Sequence, residues 1–287
     1  METIELYSFE NMENLFQYTS AQFDVVRHIL TLGFGCQAAG LVYFLTTASD
    51  QTPRYRFTSW LSAVVMISAA LILYNQSQSW TEAFVWNGAT WELGDKTFSN
   101  GYRYVNWSID VPMLLTQLLI VLGFSGAAFR KNFTGFVVAG LLMIWTGYIG
   151  QFYEVVDIPR LLIWGAVSTV FMIYICYIVG ISIFRNIKHQ PKEVHGRFRA
   201  IFWVLILSWT LYPLAYLVPW FWDTAWGMVG RQVMFTTADI VSKVIYGVIL
   251  GQIATIKSAK EGYEPAMRTL GYTKEDLHRT KKDGVYV

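Results

Sequence analysis

Charged residues are scarce in this sequence. They make up 15% of the 287 residues, whereas hydrophobic residues make up 54% and aromatic residues 17%. A soluble domain usually carries about a quarter charged residues and fewer aromatic ones. Such an excess of apolar side chains needs a solvent other than water, and the long apolar runs between short polar ones indicate a lipid bilayer.

The sequence also lacks the features of several other classes of protein. Its net charge is only +2, with no basic stripe interleaved with aromatic residues, so a nucleic-acid partner is not expected. Its two cysteines, Cys36 and Cys176, lie inside apolar runs and are expected to be small buried hydrophobic residues. It has no His/Glu zinc pattern and no Ser-His pair at a plausible depth, so we do not expect an enzyme. The acidic start, METIELYSFENMENLF, lacks the basic region of a cleavable signal peptide, so the first apolar segment is expected to remain a membrane span.

Seven apolar segments are each long enough to cross a bilayer as a helix at ~1.5 Å per residue. Their predicted bounds are about 21–47, 57–80, 101–126, 133–152, 158–184, 198–221 and 229–256. The sequence therefore predicts an all-α membrane protein with a seven-helix domain over residues 1–262. Residues 263–287 are predicted to be a polar, loosely ordered cytoplasmic tail.

Loop charges predict how the helices are oriented. Basic residues, among them Arg54, Arg130, Arg185 and Lys257, cluster in alternate loops and in the tail. The other loops and the N-terminal segment carry mainly acidic residues. By the positive-inside rule, the N-terminus of this multi-pass protein lies outside the cell membrane and the C-terminus lies in the cytoplasm.

The loop between the second and third spans carries a turn signal. In AFVWNGATWEL, Asn87 and Gly88 are flanked by roughly alternating apolar residues. A type I′ turn needs positive φ at both central residues, and Asn-Gly accepts this conformation. The sequence predicts a small extracellular β-hairpin here, with an irregular loop as the alternative.

Three ionisable residues lie in the middle of predicted spans: Asp110 in the third, and Asp239 and Lys243 in the seventh. A charge at this depth is energetically costly, so each of them is a functional candidate. Asp239 precedes Lys243 by four residues, which places both on the same face of a helix. An ion pair between helices would explain such a lysine, and so would a Schiff base with a carbonyl ligand.

The third span, GYRYVNWSIDVPMLLTQLLIVLGF, places its polar residues on one face. At ~100° per residue, Arg103, Asn106, Asp110 and Gln117 fall within a stripe about 60° wide and about 21 Å long. Lipid would leave these groups unsatisfied, so they must face the interior of the bundle or a water-filled path. Pro112 loosens the backbone beside Asp110.

The seventh span, with Lys243 and Asp239 in TTADIVSKVIYG, resembles the retinal-binding helix of microbial rhodopsins. The sixth span, ILSWTLYPLAYLVPW, is similar to the wall of the retinal pocket in that family. The resemblance implies all-trans retinal bound to Lys243 as a Schiff base. The residues that it implies around retinal are Trp107, Gly147, Trp209, Tyr212, Pro213, Tyr216 and Ser242.

Three positions of the third span indicate a subfamily. In proton pumps these positions resemble Asp-Thr-Asp or Asp-Thr-Glu, and in chloride pumps the counterion carboxylate is missing. Here they are Asn106, Asp110 and Gln117, and the surrounding NGYRYVNWSIDVPMLL is similar to light-driven sodium pump rhodopsins almost residue by residue. The chain departs from this subfamily at Ser59, where the subfamily often has Asn.

This second resemblance implies a light-driven outward sodium pump with Asp110 as counterion and proton acceptor. It also implies that sodium is held transiently by oxygens of Asn106 and Asp239, and that protons are moved when sodium is absent. A homo-oligomer, pentameric by analogy with related rhodopsins, is a further implication. The remaining residues of the implied ion path are Arg103, Gln117 and Ser68 within the membrane and Glu10, Glu154 and Arg231 at the outer exit.

Two alternatives use the same scaffold: an outward proton pump and a light-gated cation channel. Gln117 argues against a proton pump, because such a pump needs a cytoplasmic proton donor and glutamine cannot donate a proton. A signalling receptor is a third alternative. The predicted cytoplasmic loops are short and carry no evident partner-docking motif, which argues against it.

Overall fold

Seven long helices form the described part of the protein. The computed structural model describes residues 11–273, and within that range seven helices are long and apolar enough to cross a membrane. They are α1 Ser20–Thr47, α2 Pro53–Ala83, α3 Gly101–Leu122, α4 Gly126–Gln151, α5 Ile158–Asn186, α6 Lys192–Phe221 and α7 Ala225–Lys260. Large apolar side chains such as Val42, Val170 and Leu207 are exposed on the outside of the bundle, while the polar stripe of α3 is buried. The predicted seven-helix membrane fold is confirmed.

The ends of the helices differ from the predicted ends by several residues. Helix α3 stops at Leu122 rather than near 126, because Gly123 has a φ of 87° in the left-handed region that ends a helix. Helix α4 then begins at Gly126, earlier than the predicted start near 133. The connection between α3 and α4 is therefore very short.

Helix α7 contains a wider turn around Lys243. Residues Ile240–Ile245 are π-helical, so their amides bond five residues back rather than four. Such turns shift the register of the side chains that follow and recur at functional sites. Lys243 lies inside this turn and is only 2% exposed.

The predicted hairpin between α2 and α3 is confirmed, with antiparallel strands β1 Phe84–Trp86 and β2 Trp91–Leu93. The predicted type I′ turn is wrong. Asn87 lacks the positive φ that this turn requires, since every residue described with positive φ is a glycine. Instead, the side-chain oxygen of Asn87 accepts hydrogen bonds from the amides of Ala89 and Thr90, at 2.9 Å each. Asn87 thereby stabilises a longer loop between the strands.

The N-terminal segment packs against the hairpin and closes one end of the bundle, here named the hairpin end. The resemblance to sodium pump rhodopsins also implies a short amphipathic N-terminal helix over SFENMENLF, and there the structure has one 3-10 turn, Met12–Leu15, within the described residues. The amide of Tyr18 donates to the main-chain oxygen of Trp91 at 2.8 Å, and its ring packs edge-on against Trp80. Burial raises the pKa of the Tyr18 hydroxyl, so it stays protonated and donates to the main-chain oxygen of Glu13 at 2.8 Å.

The opposite end of the bundle, here named the tail end, carries one more helix. The prediction of a loosely ordered tail is wrong for Glu264–Leu270, which form the short helix α8. Ala266 and Met267 of α8 are buried with Ala259 of α7, and this apolar contact holds the segment on the bundle. The rest of the predicted tail, from residue 274 onward, lies outside the described residues.

Candidate functional site

Lys243 lies at the centre of a buried group of polar side chains. Its nitrogen Nζ is 2.8 Å from Oδ1 of Asp239 and 3.0 Å from Oδ2 of Asp110. It also donates to Oδ1 of Asn106 at 2.7 Å. None of these four residues is more than 2% exposed. One buried cation thus has two buried carboxylates beside it, as a charged amine at this depth requires.

The carboxylate of Asp239 is held by donors from α3 and α6 as well as by Lys243. Its Oδ1 accepts hydrogen bonds from Nε1 of Trp107 at 3.1 Å and from the hydroxyl of Tyr212 at 2.9 Å. Its Oδ2 accepts from Nη1 of Arg103 at 3.1 Å. Hydrogen bonds to the charged form stabilise a carboxylate. Asp239 therefore keeps its negative charge.

Fewer hydrogen-bond donors stabilise the negative charge of Asp110 than that of Asp239. Asp110 forms an ion pair with Lys243, but within residues 11–273 neither of its oxygens accepts a hydrogen bond of good geometry. Asp110 is also fully buried. A buried carboxylate with few donors favours its protonated form. Of the two carboxylates beside Lys243, Asp110 therefore has the less stabilised negative charge.

Asn106 links Lys243 to helix α2. While its Oδ1 accepts from Lys243, its Nδ2 donates to the hydroxyl of Ser68 at 2.8 Å. The bond to Ser68 fixes the amide so that its oxygen faces the Lys243 nitrogen. The uncharged oxygen of Asn106 therefore completes the group around that nitrogen. Asn106 and Ser68, which the sequence predicts for the ion path, are in contact here.

A chain of hydrogen bonds leads from this group toward the hairpin end. Nη2 of Arg103 donates to Oε1 of Gln232 at 2.9 Å, and Nε2 of Gln232 donates to Oε1 of Glu13 at 2.6 Å. Gln232 belongs to this chain of hydrogen bonds, although the sequence does not predict it as a site residue. It precedes Asp239 by seven residues, about two helical turns, so its shared face with Asp239 was the available signal.

Arg231 forms a second buried ion-pair group, with Glu13 and Glu154. Its Nη1 lies 3.2 Å from Oε2 of Glu13 and 2.7 Å from Oε1 of Glu154. All three residues are fully buried, and Gln151 contacts both Glu154 and Arg231. Burial raises the pKa of Glu154 although Arg231 opposes the shift, so this carboxyl takes up a proton at a higher pH than an exposed glutamate does.

Glu13 lies at the outer exit, where the resemblance implies Glu10. Glu10 itself lies outside the described residues. The segment SFENMENLF contains both glutamates, and its pattern does not show which of them turns inward. The amide of Met12 donates to Oε1 of Glu154 at 2.8 Å, which ties this segment to the group. Arg231 and Glu154 are brought together here.

Replacing Arg231 by Gln is expected to lower the free energy of unfolding by about 3–5 kcal/mol, because Glu13 and Glu154 then lose their buried cation. Thermal unfolding of the purified protein in detergent measures the change. Arg27→Gln is the matched control, since Arg27 pairs with Asp24 at the surface, where both side chains are over 40% exposed. The control is expected to cost under about 1 kcal/mol. Equal losses in the two variants would contradict a stabilising role for the buried group.

A cavity of about 360 Å³ adjoins Lys243 and lies between helices α3, α4, α5, α6 and α7. Its remaining walls are mainly aliphatic and aromatic, as at Leu114 and Phe235. Gly147 leaves room in it, because a Cβ there would approach the hydroxyl of Ser168 at 3.3 Å. The cavity is lined by every residue predicted to contact the cofactor: Lys243, Trp107, Gly147, Trp209, Tyr212, Pro213, Tyr216 and Ser242. It suits an apolar ligand that reaches the Lys243 nitrogen.

Gln117 lies apart from the other polar residues of α3. It is fully buried, and in the described part of the chain neither its amide oxygen nor its amide nitrogen has a hydrogen-bond partner. It lies about 10 Å along α3 from Asp110, on the side of the tail end. An unsatisfied buried amide costs about 1–3 kcal/mol, so Gln117 is a candidate for a function that uses the free amide.

Comparison with known proteins gives a consistent result. The model of the family described as bacteriorhodopsin-like protein matches residues 24–257. Bacteriorhodopsin-I of Haloquadratum walsbyi is 25% identical over 226 residues, which cover 77% of this chain and 84% of the relative. Bacteriorhodopsin of Halobacterium salinarum is 24% identical over 254 residues, which cover 83% of this chain and 87% of the relative.

Solved structures agree with this match. Thermophilic rhodopsin is similar with a TM-score of 0.81 and 30% identity, over 86% of this chain and 98% of that chain. Xanthorhodopsin, described as a light-driven ion pump with dual chromophore, is similar with a TM-score of 0.80 and 28% identity. That likeness covers 86% of this chain and 99% of that chain.

Proposed function

The chain belongs to the bacteriorhodopsin-like protein family, and from that membership we propose that it uses light to pump sodium ions out of the cell. It is a seven-helix membrane protein of a family of light-driven ion pumps, and its cofactor is retinal, bound to Lys243 as a Schiff base. The fit of retinal rests on the apolar cavity that adjoins the Lys243 nitrogen. When bound, retinal supplies the absorption of light and a change of shape at that nitrogen.

The observation that carries the proposal is the difference between the two carboxylates beside Lys243. Asp239 has donors from Trp107, Tyr212 and Arg103, whereas Asp110 has the ion pair with Lys243. A proton that leaves Nζ of Lys243 therefore moves to Oδ2 of Asp110, at 3.0 Å. This transfer removes the positive charge from Nζ and the negative charge from Asp110, while Asp239 stays ionised.

The charge on Nζ of Lys243 controls passage of sodium. Two unit charges 4 Å apart repel by about 4 kcal/mol at an effective dielectric constant of 20. While Nζ carries its proton, a sodium ion cannot pass it at low cost. Once the proton is on Asp110, the barrier falls, and the return of the proton restores the charge behind the ion. The proton therefore acts as a gate that opens in one direction.

The same oxygens that surround Lys243 suit a sodium ion. Oδ1 of Asn106 and Oδ1 of Asp239 lie 2.7 and 2.8 Å from Nζ, so both already face one point. Hard cations prefer carboxylate and amide oxygens. We assign them the transient sodium site, with entry past Gln117 and Ser68. The exit leads past Arg103 and Gln232 to the group formed by Glu13, Glu154 and Arg231.

Gln117 favours sodium over protons as the transported ion. A proton pump needs a donor on the cytoplasmic side that returns a proton to the Lys243 nitrogen, and an amide cannot release one. The loop charges assign the tail end to the cytoplasm. Toward that end, Gln117 is the next residue of the polar stripe of α3 after Asp110. Sodium therefore moves when it is present, and protons use the route when it is absent.

Illumination of cells that express the protein in sodium chloride medium tests the transported ion. Sodium export makes the cell interior negative and draws protons in, so the medium is expected to become alkaline. A protonophore is expected to enlarge this alkalinisation, because it speeds the passive entry of protons. In potassium chloride the medium is expected to turn acidic. A signal in sodium medium that the protonophore abolishes would indicate an outward proton pump, and sodium flow only down its gradient would indicate a channel.

A further inference from the structure

Lys257 is a buried cation to which the proposed mechanism gives no role. The sequence places it among the basic residues of the tail, but the structure buries it to 8% exposure near the tail end of α7. Its Nζ donates to the main-chain oxygen of Val121 and to Oε1 of Gln190, at 2.7 Å each. It lies 5.1 Å from the centre of the Tyr55 ring. Among residues 11–273 it takes part in no ion pair, so oxygen atoms without a full charge compensate it.

The fold holds both of these oxygens in place. Gln190 follows α5 and is 7% exposed, and its Nε2 donates to the main-chain oxygen of Leu122 at 3.1 Å. This bond leaves Oε1 of Gln190 facing Lys257. Val121 and Leu122 are the last two residues of α3, where carbonyl groups lack partners within the helix and carry the negative end of its dipole. The position therefore attracts a cation of any kind.

This pair of oxygens lies in line with the polar stripe of α3. Val121 follows Gln117 by four residues, which places it about one turn, or ~6 Å, closer to the tail end on nearly the same face. A cation that moves from the tail end toward Gln117 therefore meets the carbonyl group of Val121 first.

We propose that the main-chain oxygen of Val121 and Oε1 of Gln190 form the entry site for sodium at the tail end, and that the ammonium group of Lys257 occupies this site while the entry is closed. The inference rests on the proposed transport of sodium. An ammonium group and a sodium ion carry the same charge and both bind oxygen atoms. The ammonium of Lys257 is attached to a flexible four-carbon stem, so it can withdraw and return. Sodium binds to the two oxygens when the ammonium group withdraws.

A tethered competitor lowers the apparent affinity of a site in proportion to the fraction of time the site is free. Lys257→Gln removes the competing charge and is expected to lower the half-saturating sodium concentration at the tail side by at least about fivefold. Lys257→Met, which keeps the chain length without a donor, is expected to shift it in the same direction. Lys257→Arg keeps a cation and is expected to stay within about twofold of the wild type.

The measurement is the initial rate of light-driven sodium transport by the full chain in oriented vesicles, as a function of sodium on the tail side. Lys260→Gln is the matched control. Lys260 lies one turn further along α7 and pairs with Glu193, so its loss changes the local charge without touching the entry site. Retinal absorption and melting temperature establish that each variant is folded.

A fall in the half-saturating concentration for both neutral variants of Lys257, but not for Lys260→Gln, would support the entry site. An unchanged value for either folded neutral variant would overturn it, and so would an equal fall with Lys260→Gln, because surface charge would then explain the effect. A wild type that moves no sodium at any concentration would instead overturn the proposed function, and the entry site with it.

Discussion

Asp110→Asn is expected to abolish light-driven transport while retinal stays bound. The amide cannot accept the proton of the Lys243 nitrogen, so the positive charge stays in the ion path and the barrier to sodium remains. The absorption maximum is expected to shift to longer wavelength, because the negative charge 3.0 Å from Nζ, which stabilises the positive charge there, is removed. Photocurrent and absorption spectra of the purified variant measure both effects.

The control for this substitution is Asp24→Asn. Asp24 lies at the surface and pairs with Arg27, and its side chain is 43% exposed. Its loss is expected to leave both the photocurrent and the spectrum unchanged. An Asp110→Asn variant that transports sodium at the rate of the wild type would show that the proton does not gate the path.

Lys243→Ala is expected to remove covalent retinal entirely. Within the cavity that holds the predicted cofactor contacts, Lys243 supplies the amine, and Ala cannot form a Schiff base. The purified variant is expected to be colourless after addition of retinal and to show no light-dependent transport. Lys260→Ala, which changes a lysine outside this cavity on the same helix, is expected to keep full colour. Retinal that stayed covalently attached to the Lys243→Ala variant would place the linkage elsewhere.

The fold and the centre of the site could be predicted from the sequence because both depend on apolar segments. A charge within a long apolar run, such as Lys243 or Asp110, stands out without any knowledge of its neighbours. The stripe on α3 follows from helical periodicity alone. The hairpin could also be predicted, since Asn87-Gly88 is a local turn signal.

The remaining features depend on contacts between distant segments. The contrast between Asp110 and Asp239 arises from donors on α3 and α6, and no periodicity shows which carboxylate they reach. Glu13 reaches Arg231 across more than two hundred residues of sequence. In the sequence, Lys257 looks like a residue of a basic tail. Its burial depends on α8 and Gln190, which enclose the end of α7 and come from other parts of the chain.

Light-driven uptake of radioactive sodium into sealed vesicles that contain the purified protein in one known orientation tests the central claim most directly. With the tail end facing the medium, illumination is expected to drive sodium into the vesicles against its gradient. The uptake is expected to persist with a protonophore present. The Asp110→Asn variant is expected to be inactive. Absence of light-dependent sodium uptake by the wild type under these conditions, with proton movement in its place, would contradict a sodium pump.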